Sequence, residues 1–142
     1  MTDAALSDRI QRAIDSDSMI RHFGIQVEET SEHLTRVSAV VGEDSLQLHD
    51  LAHGAFIFAL LDVAFALTVN AKVDAVAVQW SISQFRSAKL GDKVTAECRP
   101  LHGGRRLVVV ELLAFGAEGR LLAKGQATAI PIGEAVQAQA RA

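Results

Sequence analysis

The stretch "HGAFIFALLDVAF", His53 to Phe65, holds the residues best suited to chemistry. From Ala55 to Leu67 every residue is apolar except Asp62. A carboxylate in such a run loses hydration, at a cost on the order of several kcal/mol unless something compensates. Burial raises its pKa and nearby N–H donors lower it, and in either case Asp62 is a candidate base or nucleophile. Gly54 opens the run, where backbone N–H groups lack intrahelical partners and the helix dipole is positive. Its N–H is therefore a natural donor to an oxygen gaining negative charge, and the missing side chain lets a substrate come close. His53 is either a helix cap or a substrate contact. Gln47, six positions upstream, either bonds a reacting carbonyl or water, or lies on the surface.

These residues need elements to hold them. The apolar run predicts a helix over about 54–70, with Asn70 as its end signal and Lys72 favouring the negative end of the dipole. Leu6, Ile10, Ala13 and Ile14 recur at helical spacing, so an amphipathic helix is expected over about 4–22. Between the two, residues 24–42 read as two strands joined at "TSEH", with Val37, Ala39 and Val41 on one face. Four more strands follow. "AVAVQWSISQF" alternates Val78, Trp80 and Ile82 against polar neighbours, and "DKVTAECRP" alternates Val94, Ala96 and Cys98. "RRLVVVELLAF" is apolar on nearly both faces and belongs in the middle of a sheet, and "GRLLAKGQATAI" ends the run. The joints "AKLGD", "LHGG" and "GAEG" are glycine-bearing and of hairpin length, so the sheet is antiparallel. A curved sheet of five or six strands wrapped around one long central helix, an α+β arrangement, is the simplest cover for that helix. The last residues, 133–142, read as a frayed tail.

Bulk properties narrow the function. A chain of 142 residues that is 49% apolar and 22% charged is one globular domain, 1–142. A net charge of -3 leaves no basic footprint for nucleic acid. The single cysteine, Cys98, permits no internal disulfide or thiolate metal cluster, which suits a reducing cytoplasm. His49, Asp50 and His102 lack ligand-like partners, so no metal site is expected. The apolar run is shorter than the ~20 residues of a membrane span.

A helix inside a curved antiparallel sheet is the hot-dog arrangement, and "HGAFIFALLDVAF" resembles the helix signature of its acyl-CoA thioesterases. The match is nearest to the phenylacetate-pathway (PaaI-type) group, with the 4-hydroxybenzoyl-CoA thioesterases next. That signature is His-Gly-Gly followed by an apolar helix with an acid nine positions after the His. His53, Gly54 and Asp62 keep the pattern, and Gln47 stands where relatives carry Asn or Gln. "SISQFRSAKLGD" and "HGGRRLVVVEL" resemble the family's later strand and hairpin, so the likeness runs from about Gly24 to Ile130. Three positions depart from it. Ala55 replaces the second glycine, Val63 stands where Ser or Thr is common, and Ser87 stands where proline is common.

The resemblance implies hydrolysis of an acyl-CoA, with an aryl or arylacetyl group preferred, by Asp62 as general base or nucleophile. No cofactor is implied, because coenzyme A is part of the substrate. Ala55 and Phe56 are candidates to border the acyl group, and Arg86, Arg105, Arg106 and Lys89 to meet coenzyme A phosphates. Gly54 and Asp62 are roughly 12 Å apart along one helix, so both cannot serve one carbonyl. Two antiparallel helices across a two-fold axis would pair them, which predicts a homodimer or dimer of dimers with shared sites. Two rivals stand beside this reading: a non-catalytic acyl-CoA-binding module and an enoyl-CoA hydratase or dehydratase of the same fold.

Overall fold

The computed structural model describes residues 3–132, and the tail expected over 133–142 lies outside them. The central apolar run forms α3, Gly54–Val69, ended by Asn70, whose side-chain Nδ2 and backbone N–H both donate to the Ala66 carbonyl. Six strands surround it: β1 Gln26–Thr30, β2 Thr35–Val40, β3 Ala75–Gln84, β4 Lys93–Gly103, β5 Val108–Phe115 and β6 Leu121–Pro131. They make one antiparallel sheet in the order β1-β2-β4-β5-β6-β3. β5 is interior, as its apolar faces require, and β1 and β3 are the edges.

The inward faces of the strands bury α3. Val37, Ala39, Val94, Ala96, Cys98, Val110, Leu112, Ala114, Ala127 and Ala129 meet Phe56, Ile57, Leu60, Leu61, Ala64 and Leu67. Apolar burial of this kind supplies most of the folding free energy. A line of hydroxyls fixes the far end of the helix. Thr30 and Thr35 Oγ1 are 3.1 Å apart, Thr35 and Thr68 Oγ1 are 3.0 Å apart, and Thr68 Oγ1 donates to the Ala64 carbonyl at 2.9 Å. β3 can lie against β6 because Gly125 faces Ile82, and a Cβ there would sit 2.3 Å from the Ser81 carbonyl oxygen.

Three sequence expectations need correction. The N-terminal segment is two helices, α1 Asp3–Ser16 and α2 Ser18–Phe23, because Asp17 leaves the helical conformation and caps α2 by accepting the Met19 and Ile20 N–H groups. Val78 does not join Trp80 and Ile82 on the inner face. A bulge between Ala77 and Gln79 shifts the register, and Val78 is exposed. The sheet also leaves α3 uncovered along one stripe, which decides where Asp62 lies.

Candidate functional site

The start of α3 is set by His53. Its backbone is extended (φ −64°, ψ 140°), and its Nδ1 accepts the Ala55 N–H at 3.0 Å. An accepting Nδ1 puts the proton of a neutral ring on Nε2. The His53 carbonyl accepts the Phe56 N–H at 2.9 Å and the Ile57 N–H at 3.4 Å. Among the described residues that leaves the Gly54 N–H as the first-turn donor without a partner. Ala55, in place of a second glycine, therefore removes no free donor, since its N–H already belongs to the cap.

Gly54 is also closely watched from β3. Gln84 Nε2 donates to the Gly54 carbonyl at 3.3 Å, and a Cβ on Gly54 would meet Gln84 Oε1 at 3.2 Å. Gln84 escaped the sequence analysis because a glutamine ending a strand carries no signal of its own. Only the fold brings it against the helix end.

Asp62 is not enclosed within the protomer. It lies on the uncovered stripe of α3, exposed, with Ala55 exposed and Ala59 and Ala66 half-buried along the same face. Its isolation in an apolar run reflects a helix buried on the flanks of this stripe, not an acid sealed in a core. No hydrogen bond or ion pair among the described residues holds its carboxylate. The apolar flanks still strip water from it, and this desolvation raises its pKa, with a smaller upward push from the charge of Asp17. Asp17 too went unseen in the sequence, although "DSDS" at a helix end is a capping signal.

The other expected residues divide into groups. Gln47 is exposed on a short loop closed by its N–H to the Leu51 carbonyl at 2.8 Å, with no side-chain bond among the described residues. Arg86 follows Gln84 and donates from Nη1 to the Leu121 carbonyl at 3.2 Å. Leu51 bridges to Lys89, and the Ala52 N–H donates to the Ala88 carbonyl, so the segment holding Arg86 and Lys89 runs beside the start of α3. Phe56 is fully buried with its ring edge-on to Phe23 at 5.4 Å, so within the protomer it packs the core. Arg105 and Arg106 are exposed on the β4–β5 hairpin, where Gly103 and Gly104 face Val69 and Lys72 at the far end of α3. Within one protomer they are remote from Gly54.

An acid on an open helix face and a free N–H at a helix end can act on a polarised carbonyl only if a second copy brings them together. Eight residues of one straight helix hold them roughly 12 Å apart. Two features suit such a copy. Small residues flank Asp62, which lets another helix approach closely. Among the described residues the outer edge of β3 is unpaired, and Val76, Val78 and Phe85 stand exposed on that strand and just beyond it.

The family model of the thioesterase superfamily matches residues 49–123 of this chain. A Deinococcus radiodurans protein whose name proposes an esterase is 39% identical over 102 residues, covering 71% of this chain and 70% of its own. The Escherichia coli acyl-coenzyme A thioesterase PaaI is 26% identical over 127 residues, covering 89% of this chain and 91% of its own. The structure of E. coli PaaI superposes with a TM-score of 0.86 at 25% identity, over 90% of this chain and 94% of that one. A Streptococcus pneumoniae protein described as a hypothetical thioesterase with coenzyme A superposes with a TM-score of 0.73 at 26% identity, over 80% of this chain and 97% of the other.

Proposed function

This chain belongs to the thioesterase superfamily as a PaaI-type hot-dog thioesterase, a thioester hydrolase, and from that premise we propose that it cleaves aryl- or arylacetyl-CoA to the free acid and coenzyme A. The name of E. coli PaaI and the coenzyme A seen with the S. pneumoniae relative support the acyl-CoA part of the substrate. The observation that carries the reading is the pair of complementary groups on α3: a free Gly54 N–H and an open Asp62 carboxylate.

In the proposed dimer, Gly54 of one protomer donates to the thioester oxygen as it gains negative charge. Asp62 of the other either takes a proton from the attacking water or attacks the carbonyl carbon itself. The C–S bond then breaks, and the coenzyme A thiolate leaves and is protonated; on the second route water next hydrolyses the mixed anhydride, releasing the acid and restoring the Asp62 carboxylate. Water is the only other reactant, so no cofactor is needed. Gln84 and His53 hold the donor end in place, and Arg86 and Gln47 line the approach to it.

A thiol-detecting assay over a panel of acyl-CoAs tests this. Wild type should release coenzyme A, and Asp62→Asn should lose roughly 10²–10⁴-fold in kcat with bound substrate retained. If wild type binds acyl-CoA without releasing thiol, the chain is a binding module. Hydration of an enoyl-CoA in place of thiol release would make it a hydratase.

A further inference from the structure

α1 runs antiparallel to α3 beside the stripe that carries Asp62. At one end Arg9 Nε donates to the Asn70 carbonyl at 2.8 Å, and at the other Asp17 comes within electrostatic reach of Asp62. Between the two helices lies a cleft of about 480 Å³, with Arg12, Ser16 and Asp17 on one wall and Ala66 and Asn70 on the other. Asp62 does not line this cleft, but Ala66 does and is one helical turn beyond it, so the cleft begins about one turn from that carboxylate.

The charges in this cleft are committed except one. Arg9 is paired with Asp74. The Asp17 carboxylate caps α2 through the Met19 N–H at 2.9 Å and the Ile20 N–H at 3.4 Å. Arg12 has no hydrogen bond or ion pair among the described residues. An unpaired guanidinium in a cleft is a ready receptor for a carboxylate or phosphate, which it can bind with two parallel bonds.

Distance separates those two. Arg12 lines the cleft together with Ala66, so it stands roughly one helical turn, about 6 Å, from Asp62 measured along α3. A carboxylate on the far side of an aromatic acyl ring lies roughly 6–7 Å from the thioester carbon, at bond lengths near 1.5 Å. The pantetheine arm, with about four residues' worth of backbone bonds, extends on the order of 14 Å and carries the coenzyme A phosphates past this point.

We propose that Arg12 determines acyl specificity: its guanidinium receives a carboxylate on the end of the acyl group remote from the thioester, so that carboxyaryl thioesters are preferred. This rests on the acyl-CoA reading above, with the acyl group pointing from Asp62 into the cleft.

The test compares 4-carboxybenzoyl-CoA with benzoyl-CoA, each also as the pantetheine thioester. Binding is measured by calorimetry to the Asp62→Asn protein, so the answer does not wait on turnover. The carboxylated ligand should bind about 10- to 100-fold tighter than the plain one. In Asp62→Asn/Arg12→Ala that ratio should fall to near one, with Arg12→Lys in the same background intermediate. Dimer affinity measured by sedimentation velocity should be the same with and without Arg12→Ala. Equal affinity for the two acyl groups would overturn the proposal, even where wild type releases thiol normally. So would a loss on Arg12→Ala confined to the coenzyme A thioesters, which would assign Arg12 to a phosphate, or a weakened dimer, which would assign it to the interface. Absence of thiol release by wild type would instead strike the parent reading, whatever the binding ratio.

Discussion

Asp62 must be ionised to serve as base or nucleophile, and both of its perturbations oppose ionisation. Desolvation by the helix flanks is the larger and the Asp17 charge the smaller. The acid limb of kcat/KM should therefore lie above the ordinary carboxylate range, with activity lost as pH falls through it. Asp17→Asn should move that limb downward, because only the desolvation remains. A limb that stays in place in Asp17→Asn would separate the two acids. At this scale the spacing of His53, Gly54 and Asp62 was legible in the sequence, because all three lie on one local element. Asp17 and Gln84 were not, because each reaches the site from a distant part of the chain.

At the scale of elements, the site depends on how α3 begins. His53 supplies the cap with a ring nitrogen, so His53→Ala should cost about 1 kcal/mol of stability, while His53→Asn retains an acceptor and should lie near wild type. For a chain this size the loss corresponds to a fall in Tm of roughly 3 °C in a thermal scan. Unchanged Tm with turnover lost as fully as in Asp62→Asn would make the imidazole a reacting group instead. The central helix was readable from its unbroken apolar run, and the strands from alternation, from the apolar stretch of β5 and from the glycine-bearing joints between them. Two interruptions were hidden from these patterns. The cap at Asp17 splits a continuous helical pattern, and the bulge at Val78 turns a regular alternation outward. Both are single-residue events that a periodic pattern averages away.

For the whole molecule, the sequence foretold a sheet wrapped around α3 but not that it leaves the Asp62 stripe open, because closure of a curved sheet depends on strands far apart in the chain. That open stripe and the β3 edge, unpaired among the described residues, are the surfaces a second copy would cover. Mixing two inactive variants tests the shared site directly. Asp62→Asn removes the carboxylate. Gly54→Pro removes the N–H at the first helical position, where proline is tolerated, and the extended His53 backbone suits a residue before proline. After the two are unfolded and refolded together, half of the dimers should be mixed and each should hold one intact site, giving about a quarter of wild-type turnover. A mixture no more active than its two components would contradict a carboxylate and a donor contributed by different protomers.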